Sequence, residues 1–160
     1  RESYNGEKFS HASAIKRCLD HKNVSVISFG IRNISKSEIL YLKKNTSRIN
    51  IFWAKDKLSW NLNKFKKLIK NKTVYLTFDV DGLDPVYAPG TGTPEIGGYS
   101  CFEAQQMLRS TRGLNLIGGD VVEVSPPFDT TGNTALVGAT MMFEILCPLA
   151  EAVAGRRYGS

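Results

Sequence analysis

The sequence predicts an α/β fold built on a mainly parallel sheet, and three observations carry that expectation. Strand-like apolar runs recur at residues 24–32, 49–54, 73–80 and 114–124. Helical patterns fall between them, and strands alternating with helices call for crossover connections between parallel strands. The strand runs are near-continuous rather than strictly alternating, as in strands covered on both faces.

Each element has a local reason. Residues 1–10, RESYNGEKFS, read as loop, and the chain opens on Arg1 rather than Met, which suggests a fragment or processed product. In 11–20 the residues Ala14, Ile15, Cys18 and Leu19 recur at helical spacing. Ser35 is placed to cap a second helix carrying Ile39, Leu40 and Leu42. Across 58–70 a third helix would set Leu58, Leu62, Phe65 and Ile69 on one stripe and leave Lys64, Lys67 and Lys70 to solvent. Ser100 and Glu103 form a capping-box pair ahead of CFEAQQMLRS. From Asn133 onward a long apolar helix is expected, buried on most faces. Its Glu144, Glu151 and Pro148 argue against a membrane span.

Composition narrows the function classes. A chain of 160 residues, 42% hydrophobic, suits one globular domain. Cys18, Cys101 and Cys147 lie far apart with no C-x-x-C pair, so neither a disulfide framework nor a zinc finger is indicated, and a reducing, cytoplasmic setting fits. The net charge of +6 is regional: residues 36–72 hold eleven Lys and Arg against Glu38 and Asp56, a local +9, leaving −3 for the rest. No nucleic-acid motif accompanies this excess, so a solvated helix surface is the better reading than a nucleic-acid partner.

The chemistry concentrates in TFDVDGLDPVYAPGTGTP, residues 77–94. Asp79 and Asp81, two apart on a strand, would point to one face, where like charges repel. A shared hard cation such as Mn, Mg or Ca would relieve that repulsion; helix capping or pairing with Arg would do so too. Asp84, before Pro85, reads as an acceptor for backbone N–H groups in the turn that ends the strand. The Gly and Pro rich loop that follows lacks dinucleotide spacing and reads as a rigid, site-lining turn. Glu123 ends the last strand just before Pro126 and Pro127, at the carboxyl end where α/β sheets bind ligands. It could bind a cationic substrate or serve a structural hydrogen bond. His11 sits at a helix start, where solvation and a catalytic use are both open.

The stretch FDVDGLDPVYAPG at 78–90, with Gly98 beyond it, resembles the signature of the ureohydrolases, the arginase and agmatinase family. Residues 118–146 look like that family's last strand and final helix, D-V-V-E-V-x-P being closer to agmatinases, and FSHAS at 9–13 is similar to its histidine motif. The resemblance implies a three-layer α/β/α domain and a site holding two manganese ions. Asp79 would bridge both metals and Asp81 would bind one of them. Glu123 would hold the guanidinium group, and His11 would assist proton transfer to the leaving amine. Such a pair of cations lowers the pKa of a water for attack on the guanidinium carbon, giving urea and an amine, with agmatine to putrescine the expected reaction and arginase- or guanidinobutyrase-like specificity, or a non-catalytic relative, the alternatives.

The departures matter equally. The family's G-G-D-H and D-A-H-x-D motifs, which carry its other metal ligands, are not in this sequence. Val121 stands where the first motif has its His, and Asp20-His21 reads as a surface turn. The expectation is therefore that residues 1–160 form the C-terminal portion of a single ureohydrolase domain, with the N-terminal strands missing and only part of the active site present. A homo-oligomer, trimer or hexamer, is implied by the same resemblance.

Overall fold

A computed structural model describes residues 1–158, with the side chains of residues 62, 157 and 158 outside the description. The chain divides into two compact units, Arg1–Leu58 and Ser59–Ser160.

In the first unit a one-turn 3-10 segment, His11–Ser13, leads into α1, Ala14–Asp20. Strand β1, Val26–Ile31, pairs in parallel with β2, Ile49–Trp53, and α2, Lys36–Lys44, forms the crossover. Register runs from Val26 opposite Ile49 to Ile31 opposite Trp53, with one shift between Phe29 and Ile31. At that shift Gly30 takes φ +76°, a backbone state that glycine reaches without a Cβ clash. Phe29 stacks on Phe52 with ring centroids 4.5 Å apart, a cross-strand aromatic pair that fixes the register. Glu38 accepts from the Ser35 backbone N–H at 2.8 Å, so the expected cap of α2 forms. Arg48 donates to the carbonyls of Leu19, His21 and Val24, satisfying oxygens at the end of α1 while tying them to the start of β2.

The second unit holds α3, Leu62–Ile69, and the strands β3, Thr73–Asp79, and β4, Asn115–Val122, which pair in parallel. It also holds α4, Cys101–Arg109, and α5, Asn133–Tyr158. Asn61 caps α3, its side chain accepting from Lys64 N at 3.1 Å. The helix therefore starts later than the apolar stripe implied. Residues 54–59 form a 3-10 segment instead, and Leu58 is fully exposed rather than packed. Phe65 and Ile69 keep their inward positions, and the Leu62 side chain is outside the described residues.

The core of this unit lies between β4 and the two helices α4 and α5, with Leu116, Ala104, Leu108, Met141 and Ile145 buried. Each large apolar side chain among them contributes about 1.5–3 kcal/mol by leaving water. Close approach depends on glycine: a Cβ on Gly119 would lie 2.7 Å from Ile145 Cγ2 and 2.9 Å from the Leu76 carbonyl oxygen. Glu144 on α5 is buried and accepts from Arg109 Nε (2.8 Å), Arg109 Nη2 (2.5 Å) and Gln105 Nε2 (3.0 Å), clamping α4 to α5.

Two expectations need correcting. Helix α5 is long and apolar enough to cross a membrane by length and composition, yet it is not buried on most faces. Thr134, Gly138, Met141, Glu144, Ile145 and Pro148 form one inward stripe, while Leu136, Phe143 and Leu146 are exposed. Likewise β3 alternates, with Thr73, Tyr75, Thr77 and Asp79 exposed, and Tyr75 and Ile117 leave one face of the β3–β4 pair open among the described residues. Apolar composition says how much surface wants burial, not which neighbour supplies it.

Candidate functional site

The β3–β4 ladder ends at Asp79 opposite Val122, and the acidic residues singled out in the sequence gather at that carboxyl end. Asp79 is the last strand residue. Asp81 is not on the strand, as the two-residue spacing suggested, but in a 3-10 turn, Val80–Gly82. The turn forms because Asp79 caps it: Asp79 Oδ1 accepts from Asp81 N at 3.0 Å. The two carboxylates are thus held next to each other by a capped turn and not by the pleat of the sheet.

Val80, between them, is completely buried and anchors the turn, as is Leu83 just beyond it. Asp84 does what the sequence suggested, accepting from Val86 N at 3.2 Å and from Gly97 N at 2.9 Å. A short parallel bridge between Leu83 and Tyr99, with Asp84 N donating to Tyr99 O and Tyr99 N to Gly82 O, seals the turn. Gly98 permits that bridge, since its Cβ would lie 2.4 Å from Leu83 C.

Burial, followed by the negative charge of Asp81, pushes the Asp79 carboxyl up to about 7, and Glu123 adds to the repulsion. Asp79 still presents surface to water, which screens part of this effect. Glu123 follows the last β4 residue and takes φ +65°, the left-handed region that a non-glycine residue enters at a cost of about 1–3 kcal/mol. Its backbone is therefore turned out of the strand at the point where its side chain leaves the ladder, beside the end that carries Asp79.

The loop after the turn is anchored at Gly90. Gly90 N donates to the buried Thr134 Oγ1 at 2.8 Å, and Gly90 O accepts from Ser125 N at 2.8 Å. Thr93, which sequence reasoning passed over, donates its hydroxyl to Asp81 Oδ2 at 2.8 Å. Asp129, also missed, accepts from Thr134 N and Ala135 N and so caps α5. Its signal was legible: an acid ahead of T-T-G-N at a helix start. His11 belongs to the first unit, where it is exposed and its ring meets Tyr4 edge-on at 5.4 Å. Asp20 pairs with Lys16 at 2.5 Å and His21 follows the end of α1, as a surface turn would have them.

Hard carboxylate oxygens brought side by side are the donor type that suits a hard divalent cation. Among the described residues no group of three His, Cys, Asp or Glu converges on one point, so Asp79 and Asp81 could supply only part of a ligand set.

The family model described as Arginase family matches residues 1–147. The chain belongs to the arginase family. Among the relatives is a guanidinopropionase of Pseudomonas aeruginosa, 61% identical over 93 residues, which are 58% of this chain and 29% of that protein. A mitochondrial guanidino acid hydrolase of Homo sapiens is 40% identical over 151 residues, 90% of this chain and 43% of that protein. Among solved structures a putative agmatinase from Clostridium difficile superposes with a TM-score of 0.80 at 31% identity, covering 96% of this chain and 55% of that one. The arginase-family fold is therefore shown for the chain, which spans less than half the length of these curated relatives.

Proposed function

We propose that the complete protein hydrolyses the guanidinium group of a small linear guanidino compound to urea and an amine. The observation that carries this reading is the gathering of Asp79, Asp81 and Glu123 at the end of the β3–β4 ladder in an arginase-family chain. Asp79 and Asp81 would hold manganese, completed by ligands from outside this chain; when bound, the metal supplies the Lewis acidity that activates water. Glu123 accepts N–H donors of the planar guanidinium, a charge-assisted pairing that orients the carbon for attack. The turned backbone at Glu123 and the bridge behind Asp81 keep these groups pre-set, which spares reorganisation during reaction. Cleavage of the carbon–nitrogen bond leaves an amine that needs a proton, and His11 is the residue of this chain assigned to deliver it.

An ω-guanidino acid such as 3-guanidinopropionate is the first substrate candidate, because the relative with 61% identity carries a guanidinopropionase name. Agmatine is the second, supported by D-V-V-E-V-x-P at 120–126 and by the agmatinase-named structure. A homo-oligomer of trimer or hexamer type and a cytoplasmic location belong to the same proposal. The test is urea release by the complete protein with manganese, offered each substrate in parallel. The expected result is turnover of at least one, abolished in Asp79→Ala, with Glu123→Gln inactive at unchanged metal content. Full activity in Asp79→Ala, or urea from neither substrate, overturns the reading.

A further inference from the structure

We propose that Thr93 is a positioning residue, its hydroxyl fixing the Asp81 carboxylate in the orientation that binds metal. This rests on the metal reading of Asp79 and Asp81 and extends it to a residue outside the carboxylate set. Sheet pairing stops at Asp79, so the ladder does not restrain Asp81, which rides on a turn of three residues. Its Oδ2 accepts from Thr93 Oγ1 at 2.8 Å, a contact twelve residues along the chain.

A lone hydroxyl on a loose loop would restrain little, but this loop is tied on both sides. Gly90 is bound through its N–H to Thr134 on α5 and through its carbonyl to Ser125, two residues after Glu123. A Cβ at Gly90 would sit 2.4 Å from Asp129 Cβ, so the loop lies directly on the segment that caps α5. Thr91, buried in the same loop, donates its backbone N–H to Pro89 O at 2.9 Å. Thr93 therefore links the Asp81 turn to the frame that also carries Glu123. An O–H donor to a ligating carboxylate selects one rotamer of that carboxylate, and groups that hold a ligand in this way typically change metal affinity about 10–100-fold.

Thr93 is exposed, so its replacement leaves the core intact. The experiment is manganese titration of the complete protein by calorimetry, comparing wild type, Thr93→Val and Thr93→Ser. Thr93→Val removes the donor at similar shape and is expected to weaken manganese binding by about tenfold or more, whereas Thr93→Ser keeps the hydroxyl and stays within about twofold to threefold of wild type. Val binding within twofold of wild type, or Ser and Val weakened alike, overturns the role of the hydroxyl. A wild type that binds no manganese overturns both the metal reading and this proposal. Manganese binding without urea release overturns the proposed reaction alone, and the affinity comparison still decides the role of Thr93.

Discussion

Gly98→Ala tests the architecture behind the acids. The added Cβ would meet Leu83 C at 2.4 Å, Asp84 N at 2.5 Å and Gly82 O at 2.7 Å, all of them backbone atoms that cannot rotate away. Relief requires separating residues 82–84 from 97–99. That movement breaks the hydrogen bonds from Tyr99 N to Gly82 O (3.0 Å) and from Asp84 N to Tyr99 O (2.9 Å), worth about 1 kcal/mol each. Overpacking against buried Leu83 and Tyr99 adds about 1–3 kcal/mol, for a total of about 3–5 kcal/mol. Because Gly82 closes the turn that holds Asp81, manganese affinity should fall together with stability. Gly92→Ala is the internal control: nothing lies within 4 Å of a Cβ there, and the expected change is under about 0.5 kcal/mol. Urea denaturation of the complete protein reads the first effect and manganese titration the second. A Gly98→Ala protein within about 1 kcal/mol of wild type would refute the reasoning.

Other consequences can be measured. Since Glu123 holds φ +65°, Glu123→Gly should unfold about 1 kcal/mol less readily than Glu123→Ala; equal stability of the two would remove the strain at that residue. Glu144→Ala, which cuts the clamp between α4 and α5, should cost about 2–3 kcal/mol in chemical denaturation. The Arg109 guanidinium holds the Glu144 carboxyl below its ordinary value of 4.5, so this contribution is complete above that pH and is lost as pH falls through the lowered value; Glu144→Gln should flatten stability against pH in that acid range. The basic region 36–72 should show no DNA or RNA binding at low salt, and a salt-sensitive complex in a filter or anisotropy assay would contradict the solvated-surface reading.

Much of the fold was legible because its signals are local. Apolar runs placed all four strands to within two residues at either end, and Ser35, Ser100 and Asn133 marked helix starts that the structure keeps. What failed depended on neighbours. Leu58 fits a helical stripe by spacing, yet Asn61 starts the helix after it, and side-chain capping outweighs one more apolar position. The apolar richness of 135–154 could not say which of its faces α4 and β4 cover. At the site, Asp79 and Glu123 were found at the strand ends where they were expected. The placement of Asp81 was misjudged because a carboxylate two residues along can end a strand by capping the next turn. Thr93 escaped notice because a loop hydroxyl has no periodicity to reveal its partner, which lies across a turn that only the folded backbone closes.

The last rung of the ladder, Asp79 opposite Val122, acts as a datum for everything beyond it. The paired strands lie on one side of that rung, and Asp81, Glu123 and the connecting loops lie on the other. Insertions or deletions beyond it, at positions clear of the Gly82–Tyr99, Gly90–Ser125 and Thr93–Asp81 hydrogen bonds, would therefore re-shape the surface around the acids without sliding the strands that set Asp79 beside Glu123. If the proposed function holds, relatives that accept different guanidino compounds can be expected to differ at such positions rather than in the shared stretch of 78–90 and Gly98, and exchanging those positions is the direct route to changing selectivity on an unaltered sheet.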